Sequence, residues 1–582
     1  MTSTESVSMS ELSGQGEFAV NVELNVPMTA RDGTVLKSNV YRPAGEGPFP
    51  VLLTRQPYSK DLISHQSVLD PLAAAARGYI VVVQDVRGTF TSGGDFRPFE
   101  DEVFDGVDTV AWAASLPGAS GRVGMYGLSY FGFTQLAAAV GGASELGAVA
   151  PMQRCADALR GFYFRQGAFE LSMQGIWYLG AVGVAEAMRV SDPAALGRVL
   201  PALINEIDSL GSAGFASRPL AEFAPVRSHP VNQGFFTPLN HPMDPETLSF
   251  MNLPVEDSDV PSLNIGGWYD IFLQQTIDDF SAAKARNVPA SLLIGPWAHA
   301  ATGNPVGDVN FGVMSSADVL DLNGGLFETQ LSWFDQWLKG AATNEEAPVK
   351  VFIMGSNRWA TMDSWPPPEA REVEWYLGSD GRLSTEAVPS TGSDDYTYDP
   401  SDPVPTLGGA LMADAGHRPG PIDQRPIEAR ADVLTFTSEP LEEDTEVMGR
   451  ITAYLWAATS AKDTDFVVRL CDVHPDGRSI NLTDGVVRAR YRGMEDGKGT
   501  PAPVTPGEPV EYRIDLWSTA NRFAAGHRIR VQVTSSNFPR WDANPNVEGD
   551  PFKAKDYNVA EQTILHGGDT PSCIVLPTMP VT

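Results

Sequence analysis

Ser129 stands in the run Val123-Gly-Met-Tyr-Gly-Leu-Ser129-Tyr-Phe-Gly132, where an apolar stretch enters a Gly-x-Ser turn and leaves it into the helix-like Phe133 to Val140. A serine hydroxyl is a weak nucleophile until a base takes its proton. On a tight strand-to-helix turn with small neighbours it projects above the sheet edge. The helix N-terminus beyond it then offers backbone N–H groups to a developing oxyanion. The spacing here is Gly-x-Ser-x-x-Gly, with the second glycine one place late, so alone it leaves an ordinary turn open as well.

Such a serine needs a base, and the base an orienting carboxylate, in the chain order Ser, Asp or Glu, His, each just past a strand. The segment SLNIGGWYD puts Asp270 shortly after an apolar run, and SLLIGPWAH puts His299 shortly after the next. Both segments read apolar run, Gly, Trp, polar residue. A helix N-cap would account for Asp270 alone and a loop residue for His299 alone; neither accounts for the repeated layout. His65, His229 and His241 precede Asp270, out of order, and His417, His474, His527 and His566 fall in a β-patterned C-terminal region. The sequence therefore predicts Ser129, Asp270 and His299 as a catalytic triad. One oxyanion donor is expected to be the backbone N–H of Tyr130. The loop Thr54-Arg-Gln-Pro-Tyr58-Ser-Lys60 lacks an HGGG-type donor, and its Tyr58 reads either as a hydroxyl donor or as simple packing. No HExxH and no Cys/His cluster at ligand spacing occurs, so no metal and no cofactor is expected.

These residues need a sheet to hold them. Val20 to Val26 and Val35 to Tyr41 predict a hairpin turned at Arg31-Asp32-Gly33. Pro50 to Thr54 and Tyr79 to Gln84 read as buried strands, and Val123 to Tyr126 as another. Leu69 to Arg77, closed by Gly78, and Glu102 to Leu116 read as helices between them. This alternation predicts a doubly wound parallel sheet, resuming at Ser262–Ile265 and Ser291–Ile294 and followed by a helix near Leu326 to Leu338. Residues 152–255 are Ala-, Leu-, Phe- and Met-rich and read as a helical insertion. After Pro348 short Val/Thr/Tyr stretches recur between turns, among them Val349 to Met354, the texture of a β-sandwich or jelly roll. The expected layout is a tail over 1–17, a catalytic α/β domain over 18–151 and 256–347, a helical cap over 152–255 and a jelly roll over 348–582.

The net charge of −32 argues against nucleic acid or an anionic membrane as partner. No ~18-residue apolar run suggests a span, and the first residues lack a signal-peptide pattern. Cys155, Cys471 and Cys573 are scattered singly, as reduced thiols of a cytoplasmic protein would be.

The combination QPYSK, QDVRGTFTSGGDF, GMYGLSYFG, GGWYD and GPWAH, with DVHPDGRSINLTDGVVRARYR and FAAGHRIRVQVTSSNFPRWDANPN beyond it, resembles the cocaine esterase and X-Pro dipeptidyl-peptidase (S15-like) family of α/β-hydrolases, in its cocaine esterase-like branch. The resemblance runs from about Val20 to Pro577. It implies that the late glycine is the family's own elbow, that Tyr58 is the side-chain oxyanion donor, and that a helical cap and a C-terminal jelly roll accompany the sheet. It also implies a homodimer. The family's amino-ester hydrolases collect a substrate ammonium with acidic side chains. Here the residues after Asp270 are Ile271, Phe272 and Leu273, and the cap reads Gly161-Phe-Tyr-Phe164. An apolar pocket is expected instead, lined by Tyr163, Trp177, Tyr178 and Phe272, with Leu411 and Met412 closing it; ordinary cap packing is the competing account of each. The expected activity is hydrolysis of a neutral or aromatic small-molecule ester through an acyl-enzyme. An amidase or X-Pro dipeptidyl-peptidase with the same triad is the near alternative. A binding protein on a hydrolase scaffold is the distant one, disfavoured because all three triad residues are present.

Overall fold

A computed structural model describes residues 18–580 apart from 63–67, 156, 191, 212, 228–232, 323, 343–346, 415 and 495–497. The expected N-terminal tail, His65 and His229 lie outside the described residues. By its internal contacts the chain divides into two compact units. One comprises Met1–Met152, Pro254–Leu263 and Gly324–Asn344; the other comprises Gln153–Leu253, Asn264–Asn323 and Glu345–Thr582.

The first unit carries β1 (Val20–Thr29), β2 (Val35–Pro43), β3 (Phe49–Gln56), β4 (Ile80–Asp85), β5 (Ala119–Leu128) and β6 (Leu146–Met152). Their order in the sheet is β1-β2-β4-β3-β5-β6. β3 pairs in parallel with β4 and β5, and β5 with β6, whereas β1–β2 and β2–β4 are antiparallel. The expected hairpin is thus an antiparallel margin on a parallel core. Every residue of β3 and β4 is buried, which explains their unbroken apolar runs: both sheet faces are covered. Helices Pro71–Ala76, Glu102–Ala114 and Tyr130–Val140 follow β3, β4 and β5. Asp70 caps the first by accepting from the N–H groups of Leu72 and Ala73. Helix Gly325–Phe334 also belongs here, with Trp333 Nε1 donating to Val149 O at 3.1 Å.

A buried polar network ties β3 to the helices. Arg55 on β3 is fully buried; its Nη1 reaches Glu102 Oε2 at 2.8 Å and its Nε reaches Gln84 Oε1 at 2.8 Å. Glu102 Oε1 accepts from the Tyr130 hydroxyl at 2.8 Å, and that hydroxyl accepts from Phe99 N–H at 2.9 Å. Burial raises the pKa of Glu102, and the Arg55 guanidinium opposes the rise. A charge this dry persists because its partner is equally dry.

In the second unit β7 (Phe164–Arg165) and β8 (Ala168–Phe169) form a small hairpin within an otherwise helical stretch, whose helices include Leu171–Trp177, Pro193–Ser209 and Gln233–Asn240. β9 (Ser262–Tyr269), β10 (Ala290–Ala298), β11 (Val349–Ile353) and β12 (Arg358–Met362) are consecutive neighbours in a sheet. Val349–Ile353, expected among the strands of the C-terminal β domain, instead pairs in parallel with β10 through Leu292↔Val349 to Ile294↔Val351. Strand texture cannot tell which sheet a strand joins, and the change of texture at Pro348 precedes the end of this sheet. The remaining strands form an eleven-stranded, largely antiparallel sheet. Among the described residues no helix is long and apolar enough to cross a membrane.

Glu102→Ala should lower stability by about 3 kcal/mol, because it leaves the buried Arg55 charge with only the longer contact to Asp105 at 3.8 Å. The double variant Arg55→Met/Glu102→Met should lose clearly less. Denaturant melts of the three proteins decide it: equal losses in the single and double variants would mean that the ion pair is not what holds these elements.

Candidate active site

Ser129 occupies the single position between the end of β5 at Leu128 and the start of the helix at Tyr130. Its backbone sits at φ 59° and ψ −120°, a conformation that side-chain-bearing residues avoid unless the surroundings impose it. Those surroundings are visible. Ser129 N–H donates to Met152 O at 2.9 Å, and Ser129 O accepts from the N–H groups of Gly132 and Phe133 at 2.9 and 3.0 Å. Gly127 is held at φ +144°, and a Cβ there would lie 2.3 Å from the Phe131 ring, so this position of the motif needs glycine. Tyr130 is buried and its hydroxyl belongs to the Glu102 network, which leaves the expected oxyanion role to its backbone N–H alone.

Tyr58 lies on the loop after β3 and is half-buried, its ring edge-on to Phe131 at 6.1 Å. Its N–H donates to Gln56 Oε1 at 2.7 Å, and the next residue, Ser59, has φ 75°. The loop is clamped by the buried carboxylate at the end of β4: Asp85 Oδ1 accepts from Lys60 N–H at 2.7 Å, and Lys60 Nζ approaches Asp85 Oδ2 at 3.5 Å.

In the second unit the structure joins the other two predicted residues. Asp270 follows β9 directly and His299 follows β10 directly, and His299 Nδ1 lies 2.7 Å from Asp270 Oδ1. The repeated Gly-Trp layout has a packing cause. Trp268 Nε1 donates to Phe352 O at 2.6 Å and Trp297 Nε1 to Ser315 O at 2.7 Å, fixing both strand ends. A Cβ at Gly267 would lie 2.3 Å from Trp297 O, and one at Gly295 would lie 2.2 Å from the Trp297 ring. The Asp270 side chain is 0 % exposed and that of His299 is 6 %. A carboxylate bonded to Nδ1 fixes the tautomer that leaves Nε2 able to accept a proton.

Gln153, absent from the residues read as functional, holds the histidine loop. Its Nε2 donates to Ala298 O at 3.0 Å and its Oε1 accepts from Ala300 N–H at 2.8 Å, so one amide grips both neighbours of His299. Gln153 and Ala300 have φ of 44° and 56°. Ser59, Ser129, Gln153 and Ala300, among the non-glycine residues of positive φ, lie beside the expected chemistry. No local motif announces Gln153, because its bonds span the chain from 153 to 300.

The expected pocket aromatics also come together. Phe162, their unforeseen hub, has ring centroids 4.7 Å from Tyr163, 5.8 Å from Trp177 and 6.1 Å from Phe272. Trp177 meets Tyr178 at 5.0 Å, the hydroxyls of Tyr163 and Tyr178 are 3.3 Å apart, and Phe272 sets its ring against His299 at 5.3 Å. Leu411 is buried and Met412 half-buried on the coil after Gly409. Glu170, in the same helical stretch as Trp177, is buried and accepts from Trp541 Nε1 at 2.8 Å. Burial raises its pKa, and Arg540 and Arg165 oppose the rise.

His–Asp pairing is not by itself diagnostic. His417 bonds Asp414 at 2.9 Å and His527 bonds Asp472 at 2.8 Å. His299 is drier than these two, and its loop is held by Gln153; His566, at 3.2 Å from Asp394, is also dry, but both of those residues lie in the C-terminal β domain. The structure also brings Asp472, His474 and His527 together, a grouping that ligand-spacing rules missed because the residues sit on different strands.

Two family models match the chain: the X-Pro dipeptidyl-peptidase (S15 family) model over residues 32–301, and the X-Pro dipeptidyl-peptidase C-terminal non-catalytic domain model over residues 341–575. Cocaine esterase of Rhodococcus sp. (strain MB1 Bresler) is 37% identical over 586 residues, covering 97% of this chain and 99% of that protein. The solved structure of an α-amino acid ester hydrolase is 27% identical with a TM-score of 0.80, covering 97% of this chain and 98% of the other. That of an aminopeptidase from the marine sediment archaeon Thaumarchaeota archaeon has a TM-score of 0.83 at 24% identity, covering 100% and 98%. The fold is that of an α/β-hydrolase with a C-terminal β-rich domain.

If His299 is the base, Gln153→Leu should lower kcat by about 10²-fold with KM little changed, since loss of both grips lets the histidine drift from its productive position. A fall in melting temperature with kcat intact would assign Gln153 to stability alone.

Proposed function

We propose that this chain, which belongs to the X-Pro dipeptidyl-peptidase (S15) family and is a serine ester hydrolase, acts on neutral or aromatic small-molecule esters through Ser129, Asp270 and His299. The observation that carries the residue assignment is the buried Asp270–His299 pair at 2.7 Å, each partner standing directly after a strand. The strained turn at Ser129 supports the nucleophile. In this reading Ser129 Oγ attacks the ester carbonyl as its proton passes to His299 Nε2, while Asp270 holds Nδ1 and steadies the imidazolium. The Tyr58 hydroxyl and the Tyr130 N–H receive the oxyanion. The tetrahedral intermediate collapses, His299 gives its proton to the departing alcohol, and the acyl group stays on Ser129. Water, deprotonated by the same imidazole, then releases the acid.

The substrate class rests on the aromatic cluster that reaches His299 through Phe272. Tyr163, Trp177, Tyr178, Leu411 and Met412 complete the proposed pocket. An α-amino ester or X-Pro peptide brings an ammonium that needs a carboxylate, and Glu170 is engaged with Trp541. The same reading takes the cap as residues 152–255, the catalytic domain as 18–151 and 256–347, and the C-terminal region as a jelly roll. It places the enzyme in the cytoplasm, supported by the free, buried thiols of Cys155, Cys471 and Cys573, as a homodimer.

A panel of p-nitrophenyl esters, aryl amides and X-Pro amides, assayed side by side, tests the substrate class. Neutral aromatic esters should be turned over fastest; faster turnover of X-Pro amides would make the peptidase reading correct. Ser129→Ala should cut kcat by about 10⁴-fold or more while the protein stays folded, and activity within tenfold of wild type would refute the nucleophile. Tyr58→Phe should lower kcat by about 10²–10³-fold at nearly constant KM, because a hydroxyl aimed at the oxyanion matters when charge develops. If kcat stays within a factor of about three while stability falls by about 1 kcal/mol, Tyr58 is a packing residue.

A further inference from the structure

Asp472, His474 and His527 lie in the C-terminal β domain, outside every role described so far. Strand Asp465–Val473 pairs antiparallel with strand Arg528–Thr534, in the register Asp472↔Ile529 and Val473↔Arg528. One step further along the ladder sets His474 opposite His527, each just beyond its strand. Side chains opposite one another share a face, and residues two apart on a strand share it too. Asp472 therefore joins the two histidines on one side of the sheet. The distances agree: the imidazole centroids are 4.4 Å apart, His527 Nδ1 is 2.8 Å from Asp472 Oδ1, and His474 Nε2 is 4.0 Å from Asp472 Oδ2.

Both histidines are anchored by turns. His474 N–H donates to Arg478 O at 2.8 Å and His474 O accepts from Gly477 N–H at 2.9 Å; His527 N–H donates to Ala524 O at 2.9 Å. All three side chains line one cavity of about 280 Å³, which Asp308, Asn357 and Asn521 help to wall. The two guanidinium groups in that wall are engaged. Arg478 Nε pairs with Asp476 at 2.8 Å, and Arg522 pairs with Asp444. Asp472 is the carboxylate bonded to an imidazole, while Asp476 and Arg478, paired with each other, act on both histidines from further away.

We propose that Asp472, His474 and His527 bind one divalent first-row transition ion of the zinc, cobalt or nickel class. One ligand atom from each residue lies within 4.8 Å of one from each of the others. Bonds of about 2.0–2.1 Å at tetrahedral angles need about 3.3 Å between ligands, so small side-chain rotations close the site. Two imidazoles and one carboxylate favour such an ion over calcium or magnesium, which prefer all-oxygen shells. With three protein ligands facing a cavity, the remaining positions belong to water or a small anion. The ion would add a cross-link between two strands already joined by their backbone ladder and by the His527–Asp472 and Arg469–Gln532 side-chain bonds.

The test uses the full chain, tag removed and stripped with EDTA, titrated calorimetrically with Zn2+ and spectroscopically with Co2+. One equivalent should bind, with a rise in melting temperature and visible Co2+ absorbance of a four-coordinate site. His474→Ala and His527→Ala should each weaken binding at least tenfold and abolish the thermal shift, with ester turnover unchanged. His474→Ala keeps the His527–Asp472 bond, so its result does not depend on what that bond contributes to folding. Absence of stoichiometric binding in the wild type, or unchanged affinity in either variant, would overturn the proposal and leave an ordinary His–Asp hydrogen bond.

Discussion

The backbone of Ser129, held at a positive φ, is the constraint on which the neighbouring residues of its unit depend. A side-chain-bearing residue there costs of order 1–3 kcal/mol, and it persists only where its surroundings determine it. The surroundings do so from three directions. Met152 O takes the serine N–H, the helix beginning at Tyr130 takes the serine carbonyl, and Gly127 clears space for Phe131. The helix is in turn tied to β3 through Tyr130, Glu102 and Arg55. A network of buried charges is a costly way to gain stability, since apolar residues of similar volume often do as well. Its consequence here is directional: it fixes the first turn of a helix whose N–H groups must point at a given place.

The second unit meets the complementary demand by other means. A histidine that acts as a base must keep one tautomer and one orientation. Asp270 supplies the first and the Gln153 amide the second, by gripping the residues on either side. Asp270 is fully buried, and its Oδ2 has no hydrogen-bond partner among the described residues. A carboxylate so poorly hydrated interacts with its one imidazole more strongly than it would in water, because little solvent screens the pair. The tryptophans at 268 and 297 serve the same end, tying both strand ends to backbone carbonyls.

What could be read from the sequence was what is local. The Gly-x-Ser turn, the two Gly-Trp segments and the Tyr58 loop each occupy a few consecutive residues, and each sits in the structure beside the element that its pattern implied. The chain order Ser, Asp, His needed only the strand pattern. What escaped was whatever depends on partners far apart in the chain. Gln153 carries no motif. The Arg55–Glu102–Tyr130 network looks like three unrelated residues. Val349–Ile353 has the texture of a β-domain strand yet joins β10, since pairing is chosen by three-dimensional neighbours and not by composition. Asp472, His474 and His527 meet only through strand register.

The aromatic cluster around Phe162 bears on specificity through the cost of its alternatives. An ammonium brought against buried rings without a carboxylate loses hydration that a cation–π contact, at about 0.5–2 kcal/mol, returns only in part. A neutral aromatic group loses little on the same transfer and gains about 25 cal/mol for each Å² of apolar surface removed from water. Glu170 could reverse this preference were it free to turn toward a substrate, but its carboxylate is bonded to the Trp541 indole and opposed by two arginines. Releasing it would leave the buried Trp541 N–H without its acceptor and remove one of the two carboxylates, with Asp484, that face Arg540 and Arg165. In the proposed reading, discrimination against amine-bearing substrates needs no repulsive group near His299, because the buried carboxylate of Glu170 is already committed to Trp541.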